Sequence, residues 1–157
     1  MRYISVNNLS DFEFHDSEFT LDLFEDKTLR VKADYLNIHK DTEYNTHGTD
    51  MEIDKAYITF EGFNLLSYER GREWKKGING KLYSKEPQII LTDVPALSEF
   101  FRQLETKMVV LDFDIKEKPV YFIDACADEP FFVISFTFDN VIIEWDEYKK
   151  AAWYTER

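Results

Sequence analysis

The chain has 157 residues, with 31 Asp and Glu against 19 Lys and Arg for a formal net charge of −12, and it carries 14 Phe, 9 Tyr and 3 Trp. This length suits one domain that buries roughly 70% of the surface its unfolded form exposes, so neither a disulfide nor a metal is required to hold it together; the aromatic content points to a packed β-rich core. The charge disfavours nucleic acid and anionic membranes as partners and suits basic ones, while a lone cysteine, Cys126, rules out an intrachain disulfide and the Cys-rich zinc frameworks.

The first eight residues lack the apolar stretch of a secretory signal, and nowhere do about 18 apolar residues run together. The expectation is a cytosolic protein with no membrane association. The stretch Phe12 to Leu23 reads as a strand whose inward face changes: Phe12 and Phe14 share one parity, and Phe19, Leu21 and Leu23 the other. Alternate side chains of a strand point to opposite faces, so an extra residue or a break is expected near His15, Asp16 and Ser17. These three are the candidate catalytic residues. The favoured reading is nevertheless a structural pair, with the carboxylate capping the irregularity and the imidazole bonded to backbone.

A polar turn at Phe24–Thr28 leads into Leu29, Val31, Ala33 and Tyr35, which alternate with polar residues as in a hairpin with one wet face. The connection from Asn37 to Asp50 contains His39, Asp41, Glu43 and His47, the candidate metal ligands. An EF-hand loop started at Asp41 would need Gly where Thr46 stands, and the two histidines lack helical i, i+4 spacing, so an ordinary solvated loop is the better account of the segment. From Met51 to Phe63 the parity shifts again, from Met51 and Ile53 to Ala56, Ile58 and Phe60. A second bulge, or exposure of Met51 to a partner, would explain it.

Between Glu69 and Glu86 the chain turns basic, with Arg70, Arg72, Lys75, Lys76, Lys81 and Lys85, and with Gly71, Gly77 and Gly80 interspersed. Neither P-loop nor dinucleotide spacing is present. The pattern predicts a long, twisted hairpin with Gly at its turns, whose cations sit against the protein's own carboxylates; Trp74 and Tyr83 make it a candidate contact surface. Thr92, as a capping side chain, and Pro95 then open a helix over about 94–105. Leu97, Phe100, Phe101 and Leu104 fall on one face and Ser98, Glu99, Arg102 and Gln103 on the other, so the helix should cover an apolar sheet.

The last third alternates as strands. Val109, Leu111, Phe113 and Ile115 share one parity, Val120–Cys126 resumes after Lys118-Pro119, and Phe131–Phe138 is apolar on both faces as in a central strand. Asp139-Asn140 predicts a two-residue hairpin turn before Val141, Ile143 and Trp145. The aromatic tail predicts a final edge strand, and Trp145, Tyr148 and Trp153 join the candidate partner-binding residues. Cys126 reads as a small core residue.

The tail from Ser135 to Tyr148, followed by Ala152-Trp153-Tyr154, together with the early Phe14-His15-Asp16-Ser17, resembles small uncharacterised proteins of Gram-positive bacteria. Several such families sit beside polymorphic toxins and are regarded as immunity proteins. The resemblance implies a scaffold that neutralises a basic toxin domain with carboxylates and aromatics, and it assigns no catalytic residue.

These readings converge on a mainly β (α+β) single domain: an antiparallel curved sheet or partly closed barrel of about eight or nine strands with one amphipathic helix. The expected function is non-enzymatic binding of a protein partner, a basic one, in the form of toxin immunity, with no cofactor; self-association is left open. The alternative is a small-molecule-binding or hydrolytic module with a pocket near His15, Asp16 and Ser17.

Overall fold

The computed structural model describes residues 1–71, 74–84, 89–116 and 119–156, with backbone alone at 74–76, 82–84 and 156. The strands are β1 (Tyr3–Val6), β2 (Phe12–Glu13), β3 (Glu18–Glu25), β4 (Thr28–Asp34), β5 (Asn37–Ile38), β6 (Met51–Asp54), β7 (Ala56–Glu61), β8 (Asn64–Arg70), β9 (Trp74–Lys76), β10 (Leu82–Ser84) and β11 (Ile89–Leu91). After helix α1 (Asp93–Glu105) come β12 (Met108–Asp114), β13 (Tyr121–Cys126), β14 (Phe132–Thr137), β15 (Asn140–Trp145) and β16 (Glu147–Ala151). The fold is mainly antiparallel β with one helix, and its main sheet is curved without closing into a barrel.

The strands outnumber the eight or nine expected, in part because four long ones bend and are shared between two sheets. The ten-stranded sheet has the order β1-β15-β7-β4-β3-β12-β13-β14-β8-β11, and the four-stranded sheet β16-β6-β5-β2. Strand for strand, the smaller sheet repeats the run β15-β7-β4-β3. Each of those strands turns a corner and pairs again with the same neighbours, as in orthogonal packings. Non-glycine residues in the left-handed region mark three of the corners: Asp16 (φ 67), Tyr35 (φ 61) and Lys55 (φ 59). The fourth lies at Asp146, between β15 and β16. Both parity reversals in the sequence are therefore changes of sheet rather than bulges.

A second pair of bends curls the main sheet. β7 runs into β8 through Gly62, and β14 runs into β15 through Asp139. The expected Asp139-Asn140 hairpin does not form, because β15 pairs with β1 and β7 while β14 pairs with β13 and β8. Gly62 has φ 69, and a Cβ there would lie 2.1 Å from Asp139 Oδ2. The curl brings inner faces together: Phe60 on β7 meets Phe136 edge-on at 5.7 Å, and Phe14 meets Phe113 at 4.9 Å. Helix α1 lies against β8, β3 and β12, with Phe100 stacked on Phe63 and Phe101 against Phe24.

Local irregularities revise several expectations. A register shift between Leu21 and Leu23 turns Leu23 outward, 46% exposed, and brings Phe24 into the core instead. Tyr35 is exposed at its corner, and Leu36 takes the buried place. A shift between Val110 and Asp112 leaves Leu111 unpaired, so Met108, Val110 and Phe113 face inward rather than Val109 and Leu111. Thr92 forms no side-chain cap. Gln103, expected on the wet face, is buried, where its amide donates to Glu99 and its carbonyl accepts the Glu129 N–H. Cys126 is only partly buried. The β9–β10 hairpin forms as expected, with its turn at Gly77–Gly80, and Arg70 meets Glu129 at 2.7 Å; Arg72 and Lys85 lie outside the described residues.

Candidate functional site

The His15–Ser17 corner is bonded throughout. Ser17, fully buried, donates its hydroxyl to the Phe14 carbonyl at 2.6 Å. His15 Nδ1 donates to the Leu111 carbonyl at 2.6 Å, and Nε2 sits 3.5 Å from Asp16 Oδ2. Backbone bonds Asp16 N to Val110 O and Val110 N to Ser17 O, both 2.8 Å, lock the corner to β12. The serine proton is directed to a backbone carbonyl rather than to the imidazole, so the three residues are not arranged as a nucleophile and its base.

Beside this corner lies an open cleft of about 420 Å³ lined by Asp16, Glu18, Tyr35, Glu52 and Trp153. Trp153, 42% exposed, is thereby brought next to Asp16, a proximity the sequence does not disclose. Two of the three acids are neutralised locally: Lys107 Nζ lies 3.3 Å from Glu18, and Lys149 Nζ lies 3.7 Å from Glu52 and 5.7 Å from the Tyr35 ring centre.

The candidate metal ligands diverge. His39 pairs with Asp50 at 3.0 Å, while the His47 ring stands edge-on to Tyr148 and its Nδ1 faces Asn45 Oδ1 at 3.2 Å. Asp41 and Glu43 point to solvent. Among the described residues no group of three or more His, Cys, Asp or Glu is placed to hold a metal ion. Asp50 is instead the centre of the loop: burial opposes its charge, but hydrogen bonds from the Tyr154 hydroxyl (2.5 Å), the Lys40 N–H and His39 hold its pKa below the ordinary carboxylate value. Burial, with Asp50 as acceptor, pushes the Tyr154 phenol up.

The aromatic candidates for partner contact divide. Trp145 is completely buried, stacked on Tyr3 and met edge-on by Phe12 and Tyr44, so it is a core residue and not a contact. Tyr148 is partly buried and donates its hydroxyl to the Tyr44 carbonyl. The side chains of Trp74 and Tyr83 lie outside the described residues.

A different surface concentrates charge. On the outer face of the main sheet, the register aligns Asp112 with Asp124, Asp124 with Val133, Val133 with Glu69, and Glu69 with Ile90. One row across five strands thus carries three acids and two apolar residues. In the next row Asp114 opposes Phe122, which is 38% exposed. Asp112, Asp114, Asp124 and Glu69 form no ion pair among the described residues. Partial burial, followed by the fields of Asp112, Asp114 and Glu69, raises the Asp124 pKa above its ordinary value. Like charges directly opposed across strands oppose folding, and among the described residues no cation pairs with Asp112 or Asp124. The alternation of Asp112 and Asp114 on β12 is visible in the sequence; the facing Asp124 and Glu69 are not, because they depend on register.

No family model, curated protein or solved structure matches the chain. Among the described residues no helix is long and apolar enough to cross a membrane.

Proposed function

We propose that the protein is a non-enzymatic binding protein that receives a basic protein partner on the outer face of its main sheet, around Phe122. The single observation that carries this reading is the opposition of Asp112 and Asp124, without an ion-pair partner among the described residues, beside an exposed aromatic ring. A facing Arg or Lys would relieve the repulsion and gain charge-assisted hydrogen bonds, while Phe122 and Val133 supply apolar contact at the centre. The cleft at Asp16 is a weaker choice, since Glu18 and Glu52 already have lysine partners there. The specific form we favour is inhibition of a basic toxin domain, for which a net charge of −12 also speeds encounter.

The test is capture of a purified basic candidate, the product of a neighbouring gene, by immobilised wild-type protein and by the Asp112→Asn/Asp124→Asn variant. The wild type should retain it at low salt and release it near about 0.5 M salt, where screening is nearly complete; the variant should retain little. Equal retention by both proteins would place the contact elsewhere.

A further inference from the structure

The cleft beside the His15–Ser17 corner combines three carboxylates, Asp16, Glu18 and Glu52, with two aromatic walls, Tyr35 and Trp153. Its volume of about 420 Å³ lies in the range of small-molecule sites. Against three acids stand two ammonium groups, Lys107 on Glu18 and Lys149 on Glu52, so among the described residues Asp16 is the acid without a lysine. His15 does not take that place. Its Nδ1 proton goes to the Leu111 carbonyl, so the neutral ring has none at Nε2 for the Asp16 carboxylate 3.5 Å away.

Glu52 lines the cleft while being only 4% exposed. Its ion pair with Lys149 is long, 3.7 Å, and among the described residues its carboxylate accepts no hydrogen bond. Across β5 and β6 it stands directly opposite Asn37, and opposed residues of an antiparallel pair share a face. Asn37 is 2% exposed, and its Oδ1 is buried with no hydrogen-bond partner among the described residues. Buried acceptors are normally bonded, so this pair is short of donors. Lys149 also shows which charge the aromatic wall accepts: its Nζ lies 5.7 Å from the Tyr35 ring centre, within cation–π range.

We propose that this cleft receives the guanidinium of an arginine side chain from a basic protein, its planar face against the Tyr35 and Trp153 walls and its N–H donors directed to Asp16 and the Glu52–Asn37 pair. A further ammonium adds little, because Lys107 and Lys149 already supply that group. A guanidinium offers what they lack: a flat face that stacks on aromatic rings, and five donors in a fixed fork. An anion is disfavoured, because the acids outnumber the lysines. An uncharged apolar group would leave the buried acceptors unbonded. The site is separate from the Asp112–Asp124 row and does not depend on it.

The experiment is an NMR titration of the full chain with N-acetylarginine amide, with N-acetyllysine amide as the ammonium control. The arginine probe should shift the Trp153 indole and Tyr35 ring signals with a Kd of about 1–10 mM, the range for so small a ligand. The lysine probe should bind about fivefold more weakly or less. Asn tolerates the left-handed backbone of Asp16 (φ 67), so Asp16→Asn should fold, and its affinity for the arginine probe should fall about fivefold. Trp153→Leu should weaken binding about threefold through loss of the ring. Equal binding of the lysine probe, unchanged affinity in either variant, or no shift at Trp153 in the wild type would overturn the proposal.

Discussion

His15 Nδ1 lies 2.6 Å from the carbonyl oxygen of Leu111, the residue left unpaired where the register of β12 on β13 slips. Two irregularities therefore complete one another: the bend that carries the chain from the small sheet to the main one supplies the donor that the bulged strand lacks. Replacing His15 with Ala removes that donor and should lower stability by about 1 kcal/mol, or about 2–4 °C in Tm for a domain of this size. Ser17→Ala should cost a similar amount. Thermal unfolding of the two variants and of the double variant checks this, and a double loss smaller than the sum would show that both act through the same corner.

The opposed Asp112 and Asp124 predict a stabilising substitution. Asp124 has a raised pKa in the folded state, so its contribution to stability is most favourable below the unfolded pKa and declines as pH rises through the folded value. At neutral pH the charged form opposes folding. Asp124→Asn should raise stability by about 0.2–1 kcal/mol at pH 7, and the gain should vanish below the ordinary carboxylate pKa of about 3.9. Thermal denaturation across this range measures it; a loss of stability at neutral pH would contradict the repulsion.

Asp50 has the opposite sign. Its folded pKa is lowered, so the stability it contributes is present above its unfolded pKa and is lost as pH falls through the folded value. Asp50→Asn should destabilise by about 1–3 kcal/mol at pH 7, since an amide cannot serve the Tyr154, Lys40 and His39 donors as a carboxylate does. Wild type and variant should converge in acid, and parallel pH profiles would count against the network.

Gly62→Ala should be among the most damaging small substitutions. The residue has φ 69, and its added methyl would lie 2.1 Å from Asp139 Oδ2 and 2.6 Å from Cγ. A loss of about 2 kcal/mol or more is expected in chemical denaturation. Asp139→Ala in the same chain should restore the steric part and leave the backbone strain.

The positions of the irregularities were legible in the sequence, but their nature was not. Apolar parity reverses at His15–Ser17 and near Lys55 because the buried face must stay buried, and that reversal is visible without coordinates. Whether a break is a bulge or a change of sheet depends on which strands it pairs with, and pairing is not local. The same limit made Asp139-Asn140 resemble a hairpin turn: the two residues suit a tight turn, yet the curled sheet places β14 and β15 in different pairings. Trp145 shows a further ambiguity, since an aromatic tail can mark a contact or a core. Here the corner between β15 and β16 turns it inward. The acidic face follows from the Val110/Asp112 register shift, which sets Asp112 opposite Asp124.

The most direct test of the proposed binding face is an NMR titration of the protein with a lysine-rich peptide, followed at Phe122, Val133 and Ile90, in wild type and in Asp112→Asn/Asp124→Asn. The account predicts shifts centred on Phe122 that fade as salt is raised to about 0.5 M and that weaken about tenfold or more in the variant, as loss of two facing charges should produce. Shifts centred instead on Tyr35 and Trp153, or undiminished in the variant, would contradict it.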